Sequence, residues 1–121
     1  MSDEKTHVEE LKQLVKAYRD ERDWEQFHDP KNLAEDLVIE AGELLEHFLW
    51  KDKEQVALYL QDESAKSEVA DELADALHCV LLLSLAMDID LTNATKVKMR
   101  KNAAKYPVEK AKGKATKYTK L

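Results

Sequence analysis

The chain predicts an all-α fold, and three observations carry that expectation. Only two glycines and two prolines occur in 121 residues, so breakers of helical structure are scarce. Ala, Leu, Glu and Lys are abundant, and these side chains lose little freedom on entering a helix. Apolar residues recur at intervals of three and four, with none of the sustained alternation that a half-buried strand requires. The architecture expected is of four-helix-bundle type with short additional helices. A chain of this length makes one domain with a core but encloses a deep site poorly, so an oligomer is expected.

Each element has its own signal. Val8, Leu11, Leu14, Val15 and Tyr18 form the apolar stripe of a first helix from about residue 4 to 21. Asp29-Pro30 is a helix start, with Asp as cap and Pro at the first helical position; Leu33, Leu37, Ala41, Leu44 and Phe48 follow, and the helix should end near Trp50. Asp52 with Gln55 forms a capping pair that opens a short helix ending between Gln61 and Glu63. Ser64 is then the expected cap of a long helix. That helix carries Val69, Leu73, Ala76, Leu77 and Val80, then becomes apolar nearly all round through Leu81, Leu82, Leu83 and Leu85, so its far side is expected to meet another subunit. A last helix should run from Leu91 to Lys105, stopped by Pro107. Residues 1–107 make the expected domain, and 108–121 a lysine-rich tail that is mobile or laid on the surface.

Charge divides the chain. Residues 1–90 hold 24 acidic and 9 basic side chains, residues 91–121 hold 1 and 10, a split of −15 and +9 within a net charge of −6. The acidic part suits a metal and the basic part suits phosphate. Nucleic-acid binding through the basic end is poorly supported against so acidic a remainder. The single cysteine, Cys79, excludes an intrachain disulfide, and its apolar helical setting indicates a buried thiol in a reducing compartment. The N-terminus lacks an apolar signal core and the longest apolar run, Cys79 to Leu83, is far too short for a membrane span, so a soluble cytoplasmic protein is expected.

Two helices each carry carboxylates three residues apart, Glu40/Glu43 and Glu72/Asp75. Residues at that spacing share one helix face about 4.5 Å apart along the axis, so each pair offers hard oxygen ligands aimed the same way. Side-by-side packing would converge four carboxylates, a costly arrangement that one or two Mg²⁺ or Mn²⁺ ions would stabilise. Asp36, Glu40, Glu43 and His47 follow one stripe, whose plain alternative is a solvated acidic face. Gly42 favours the site reading, since a helix-interior glycine costs about 1 kcal/mol relative to alanine and suits a close approach by backbone or ligand. On the last helix Lys98, Asn102 and Lys105 share a face suited to a polyphosphate, or simply to solvent. In the linker Arg22 to His28, Trp24, Phe27 and His28 can stack on or hydrogen-bond a base, with Trp50 as another wall; plugging the bundle end is the alternative. Metal, phosphate and base features together point to a nucleoside triphosphate.

Glu40-x-x-Glu43, a gap of 28 residues, then Glu72-x-x-Asp75 resembles the signature of the all-α nucleoside triphosphate pyrophosphohydrolases, the MazG-like family. Glu21 to His28, Gly42-Glu43-Leu44, Trp50-Lys51, Lys98-Met99, Asn102, Lys105-Tyr106-Pro107-Val108 and Lys117-Tyr118-Thr119 narrow the resemblance to its dCTP pyrophosphatase branch over nearly the whole chain. The resemblance implies cleavage between the α and β phosphates of a deoxynucleotide such as dCTP, serving to cleanse the nucleotide pool. It also implies a homotetramer made as a dimer of dimers. It makes Glu40, Glu43, Glu72 and Asp75 the Mg²⁺ ligands, Lys98 and Asn102 phosphate contacts, and Trp24, His28 and Trp50 the base pocket; Lys105 shares the face of the phosphate contacts, and Glu40 or Glu43 is the candidate to take the proton of the attacking water. Where relatives in this branch often carry a tyrosine after the second metal pair, this chain has His78-Cys79, so base or sugar selectivity can differ. The rival readings are a di-iron carboxylate bundle, for which Glu-x-x-His is missing from two helices, and a non-catalytic helical oligomer.

Overall fold

The computed structural model describes all 121 residues. Six helices and no strand make up the chain: α1 (Val8–Glu21), α2 (Pro30–Glu46), α3 (Lys53–Tyr59), α4 (Glu63–Met87), α5 (Leu91–Lys105) and α6 (Val108–Ala111), with 3-10 turns at Glu25–Phe27 and Tyr118–Lys120. The predicted class is correct. Two compact units divide the residues, Met1–Asp88 and Ile89–Leu121.

In the first unit α4 is the central element, with α2 packed along it and α1 against another side. Leu33 of α2 and Ala65, Val69, Cys79 and Leu81 of α4 are buried, and Leu81 is almost wholly enclosed at 1% exposure. Their spacing along α4 gives the stripe that a helix must bury to be stable in water.

Local signals set most boundaries. Asp29 Oδ1 accepts from Asn32 N at 2.8 Å and Pro30 opens α2, as expected. Asp52 and Gln55 form the reciprocal capping box of α3: Asp52 Oδ1 accepts from Gln55 N at 2.8 Å, and Asp52 N donates to Gln55 Oε1 at 2.8 Å. Three boundaries differ from expectation. α1 begins at Val8 rather than near residue 4, because the His7 backbone N donates to Glu10 Oε2 at 2.9 Å and so marks the cap. α2 ends at Glu46, four residues before Trp50; a turn follows, and Trp50 takes a left-handed backbone at φ 64°. Asp62, not Ser64, caps α4, its Oδ1 accepting from Ser64 N at 3.2 Å.

The second unit is α5, whose bounds are those expected, followed by the basic segment. Tyr118 stands edge-on to Tyr106 with ring centroids 5.9 Å apart, and Lys105 Nζ lies 4.9 Å above the Tyr118 ring. These contacts lay the segment back on the end of α5. No helix is long and apolar enough to cross a membrane.

Candidate metal centre and base pocket

The packing of α2 on α4 brings Glu40, Glu43 and Glu72 together: one oxygen from each lies within 4.8 Å of the others. Glu40 Oε2 and Glu72 Oε2 are buried and lack a hydrogen-bond partner. Loss of hydration pushes the Glu40 carboxyl up to about 7, reinforced by its contact with Glu43 and by the charges of Glu43, Asp75 and Asp36. The Glu72 carboxyl is raised for the same reasons, desolvation first, then Glu43 and Asp75, with His47 acting the other way. Like charges gathered at a desolvated position favour protonation unless a cation joins them. Hard carboxylate oxygens with unfilled acceptor sites are the donor set that Mg²⁺ and Mn²⁺ take, so these residues fit such an ion.

Asp75, the fourth carboxylate of the sequence pattern, stands one helical turn beyond Glu72 but outside that trio. Its Oδ1 lies 3.7 Å from His78 Nδ1. Behind the trio sits a contact that sequence reasoning missed. Tyr59, on α3, and His47, just past α2, meet at 2.7 Å between hydroxyl and Nδ1, and His47 Nε2 lies 3.9 Å from Glu72 Oε1. The tyrosine hydroxyl has one proton to give, and Nδ1 accepts it when Nε2 carries the imidazole hydrogen; the ring then presents N–H toward Glu72. Only the capping box that starts α3 hints at this in sequence, because it sets where Tyr59 falls.

Beside the carboxylates lies a cavity of about 490 Å³. Tyr18, Trp24 and His28 line it on one side, Asp36, Glu40, Asp75, His78 and Cys79 on the other. The linker is built to present Trp24. Arg19, buried, reaches Asp20 at 2.9 Å and Glu25 at 3.6 Å, its carbonyl accepts from Trp24 N at 3.1 Å, and Asp23 makes the reversal at φ 54°. Trp24 then meets Tyr18 edge-on at 5.8 Å, with the Arg22 guanidinium 3.7 Å above the Tyr18 ring. His28 Nδ1 is buried without a partner.

The remaining expectations divide. Trp50 does not line this cavity and is 92% exposed. A Cβ added at Gly42 would meet nothing within 4 Å, so no close approach within this chain explains that glycine. Cys79 is buried as expected. Lys98, Asn102 and Lys105 share a face of α5 in the second unit, with Asn102 half-buried and the lysines exposed.

The fold is an all-α bundle whose two principal helices bring together carboxylates that could hold a metal ion, beside an aromatic-walled cavity of about 490 Å³. The chain belongs to the MazG-like family, whose pattern it matches over residues 37–121. It is 39% identical over 114 residues to dCTP pyrophosphatase 1 of Bos taurus, covering 94% of this chain and 68% of the relative. Identity to dCTP pyrophosphatase 1 of Homo sapiens is 36% over 114 residues, covering 94% and 67%. A solved pyrophosphatase from Archaeoglobus fulgidus DSM 4304 superposes with a TM-score of 0.78 at 39% identity, covering 88% of this chain and 98% of that one.

Proposed function

We propose that Glu40, Glu43, Glu72 and Asp75 hold Mg²⁺, with Mn²⁺ able to replace it, and that dCTP or a related deoxynucleotide is the substrate. The chain is a nucleoside triphosphate pyrophosphohydrolase, in keeping with its family and with relatives that are dCTP pyrophosphatases. The observation that carries the site assignment is the trio of carboxylates with two buried, partnerless oxygens at the edge of an aromatic cavity.

A divalent cation held by these carboxylates would supply charge stabilisation for phosphate oxygens and would lower the pKa of a bound water. The protein's own groups do the rest. Trp24 and His28 bind and orient the base. Glu40 or Glu43 accepts the proton of the water that attacks phosphorus. Tyr59 fixes the His47 ring with Nε2 3.9 Å from the Glu72 carboxylate, where the ring favours the charged form of Glu72 through space. For Lys98, Asn102 and Lys105, on α5 of the second unit, the role is contact with phosphate, the lysines supplying positive charge and Asn102 an N–H donor; the products are the monophosphate and pyrophosphate.

The working form we propose is a homotetramer built as a dimer of dimers. Val38 (72% exposed), Leu45 (64%), Leu58 (68%) and Leu73 (54%) place apolar surface on α2, α3 and α4 that a single chain leaves in water. Trp50 belongs to that covered surface, where a partner would shield its indole and complete a base pocket. The role we propose is cytoplasmic cleansing of the nucleotide pool, with residues 1–107 as the catalytic domain and the basic tail 108–121 appended to it.

The deciding experiment incubates the protein and Mg²⁺ with a panel of ribo- and deoxynucleoside triphosphates and separates the products by chromatography. Monophosphate and pyrophosphate, formed fastest from dCTP and abolished by a chelator, is the expected result. The same products from another base would reject dCTP, and release of inorganic phosphate or no turnover would reject the reaction.

A further inference from the structure

Some polar groups of the cavity contact one another, while Glu40 Oε2 and His28 Nδ1 have no partner and Asp36 has acceptor capacity to spare. Arg19 is held by Asp20 and Glu25, and Asp75 stands against His78. Asp36, one helical turn before Glu40 on α2, has a single side-chain partner at the cavity: Cys79 Sγ donates to its Oδ2 at 3.4 Å. A thiol is a weak donor, and a carboxylate has about four acceptor positions, so Asp36, an exposed residue on the cavity lining, keeps most of its acceptor positions open to water or to a ligand. Burial, then the contact with Asp36 and its charge, pushes the Cys79 thiol up to about 12, which keeps it protonated and donating at neutral pH. Cys79 itself is fixed in the core of α4, so the thiol pins the carboxylate from below.

We infer that Asp36, pinned by Cys79, reads the exocyclic amine of the substrate's base and thereby selects cytosine over uracil and thymine. The inference rests on the pyrophosphohydrolase reading and deepens it. Glu40 and Asp75 mark the end of the cavity nearest the carboxylate trio, where the phosphates must go, and Trp24 and Tyr18 wall the side where a ring can stack. Asp36 lines the same cavity. Cytosine presents an N–H₂ donor at the position where uracil and thymine present a carbonyl oxygen. Against a carboxylate the amine forms a charge-assisted hydrogen bond, whereas the carbonyl sets two acceptors face to face with no proton between them. A mismatch of this kind discriminates by about ten- to hundred-fold. His28 Nδ1, buried and unpartnered, offers the same cavity a further position able to accept or donate to the base.

The test compares kcat/KM for dCTP and dUTP, and calorimetric affinities for dCMP and dUMP, in the wild-type protein and in Asp36→Asn and Asp36→Ala. The wild type is expected to favour the amine-bearing nucleotide at least tenfold in both measurements. Asp36→Asn, whose amide can turn its N–H₂ toward a carbonyl, should bring the dCTP to dUTP ratio to near one or invert it. Asp36→Ala should erase the discrimination without inverting it. A ratio within twofold of wild type in both variants overturns the inference. Should the variants misfold, wild-type protein with an N4,N4-dimethylated dCTP decides: full retention of affinity overturns the role of the amine, and a tenfold loss supports it. Failure to hydrolyse any triphosphate would overturn the enzymatic reading, while the dCMP to dUMP affinity ratio would still judge Asp36 by itself.

Discussion

At the scale of single residues, the carboxylate trio explains more than any other feature, because Glu40, Glu43 and Glu72 are arranged against their own electrostatic interest. Glu43→Gln is expected to lower turnover by roughly 10²-fold or more, as removal of a ligand or general base does, and steady-state pyrophosphate release will measure it. The raised carboxyls also make a prediction about stability. A group whose folded pKa lies above its unfolded value binds more protons in the native state, so stability is greatest below the unfolded value and falls as pH rises through the folded one. For Glu40 that window runs from its ordinary 4.5 up to about 7. The metal-free protein should therefore melt several degrees lower at pH 8 than at pH 5.5, and saturating Mg²⁺ should remove most of the difference at pH 8. Calorimetric scans with and without chelator will show it, and Glu40→Gln should flatten the dependence. His47 and Tyr59 act through Glu72, so Tyr59→Phe is expected to weaken Mn²⁺ binding to the substrate-free protein by about tenfold, the low end for losing a supporting contact, as titrated by electron paramagnetic resonance.

Elements set where those residues stand. α3 is seven residues long and has no buried residue of its own, yet it delivers Tyr59 to His47. Its capping box is the main local reason that it forms. Asp52→Ala should cost about 1 kcal/mol in chemical denaturation, and should also lower metal affinity by loosening Tyr59. The caps at Asp29 and Asp52 were legible in sequence because a cap depends on two or three adjacent residues. Asp62 over Ser64 was not, since both are good caps and the choice rests on which carboxylate or hydroxyl reaches the free N–H groups. The end of α2 was also obscure: Phe48 and Leu49 continue an apolar pattern past Glu46, and only the turn toward α3 reveals that those side chains leave the helix. The linker from Arg22 to His28 was legible as a binding segment by its aromatics, and the buried Arg19 that braces it was not, because Arg19 reads in sequence as part of a charged outer face.

For the whole molecule the telling quantity is how little of it is buried. One chain leaves Val38, Leu45, Leu49, Leu58, Leu73 and Leu77 exposed. Leu45→Glu is expected to lower the solution mass toward that of a single chain of 13.9 kDa, read by light scattering on a sizing column, and to lower activity with it. A monomeric wild type at micromolar concentration would reject the oligomer. The sequence by itself determined the helical class, through scarce breakers and a period near 3.6, and it determined the candidate metal ligands, because residues three apart on a helix must share a face. It also pointed to Trp24 and His28. Only the tertiary structure decided that Asp75 turns to His78, that Tyr59 stands behind Glu72 through His47, that Trp50 lies outside the cavity, and that Asp36 meets Cys79 across 43 positions of chain. The reason is one of distance: helical periodicity relates residues within a few turns, whereas contacts between helices depend on how their axes pack, which no local pattern encodes.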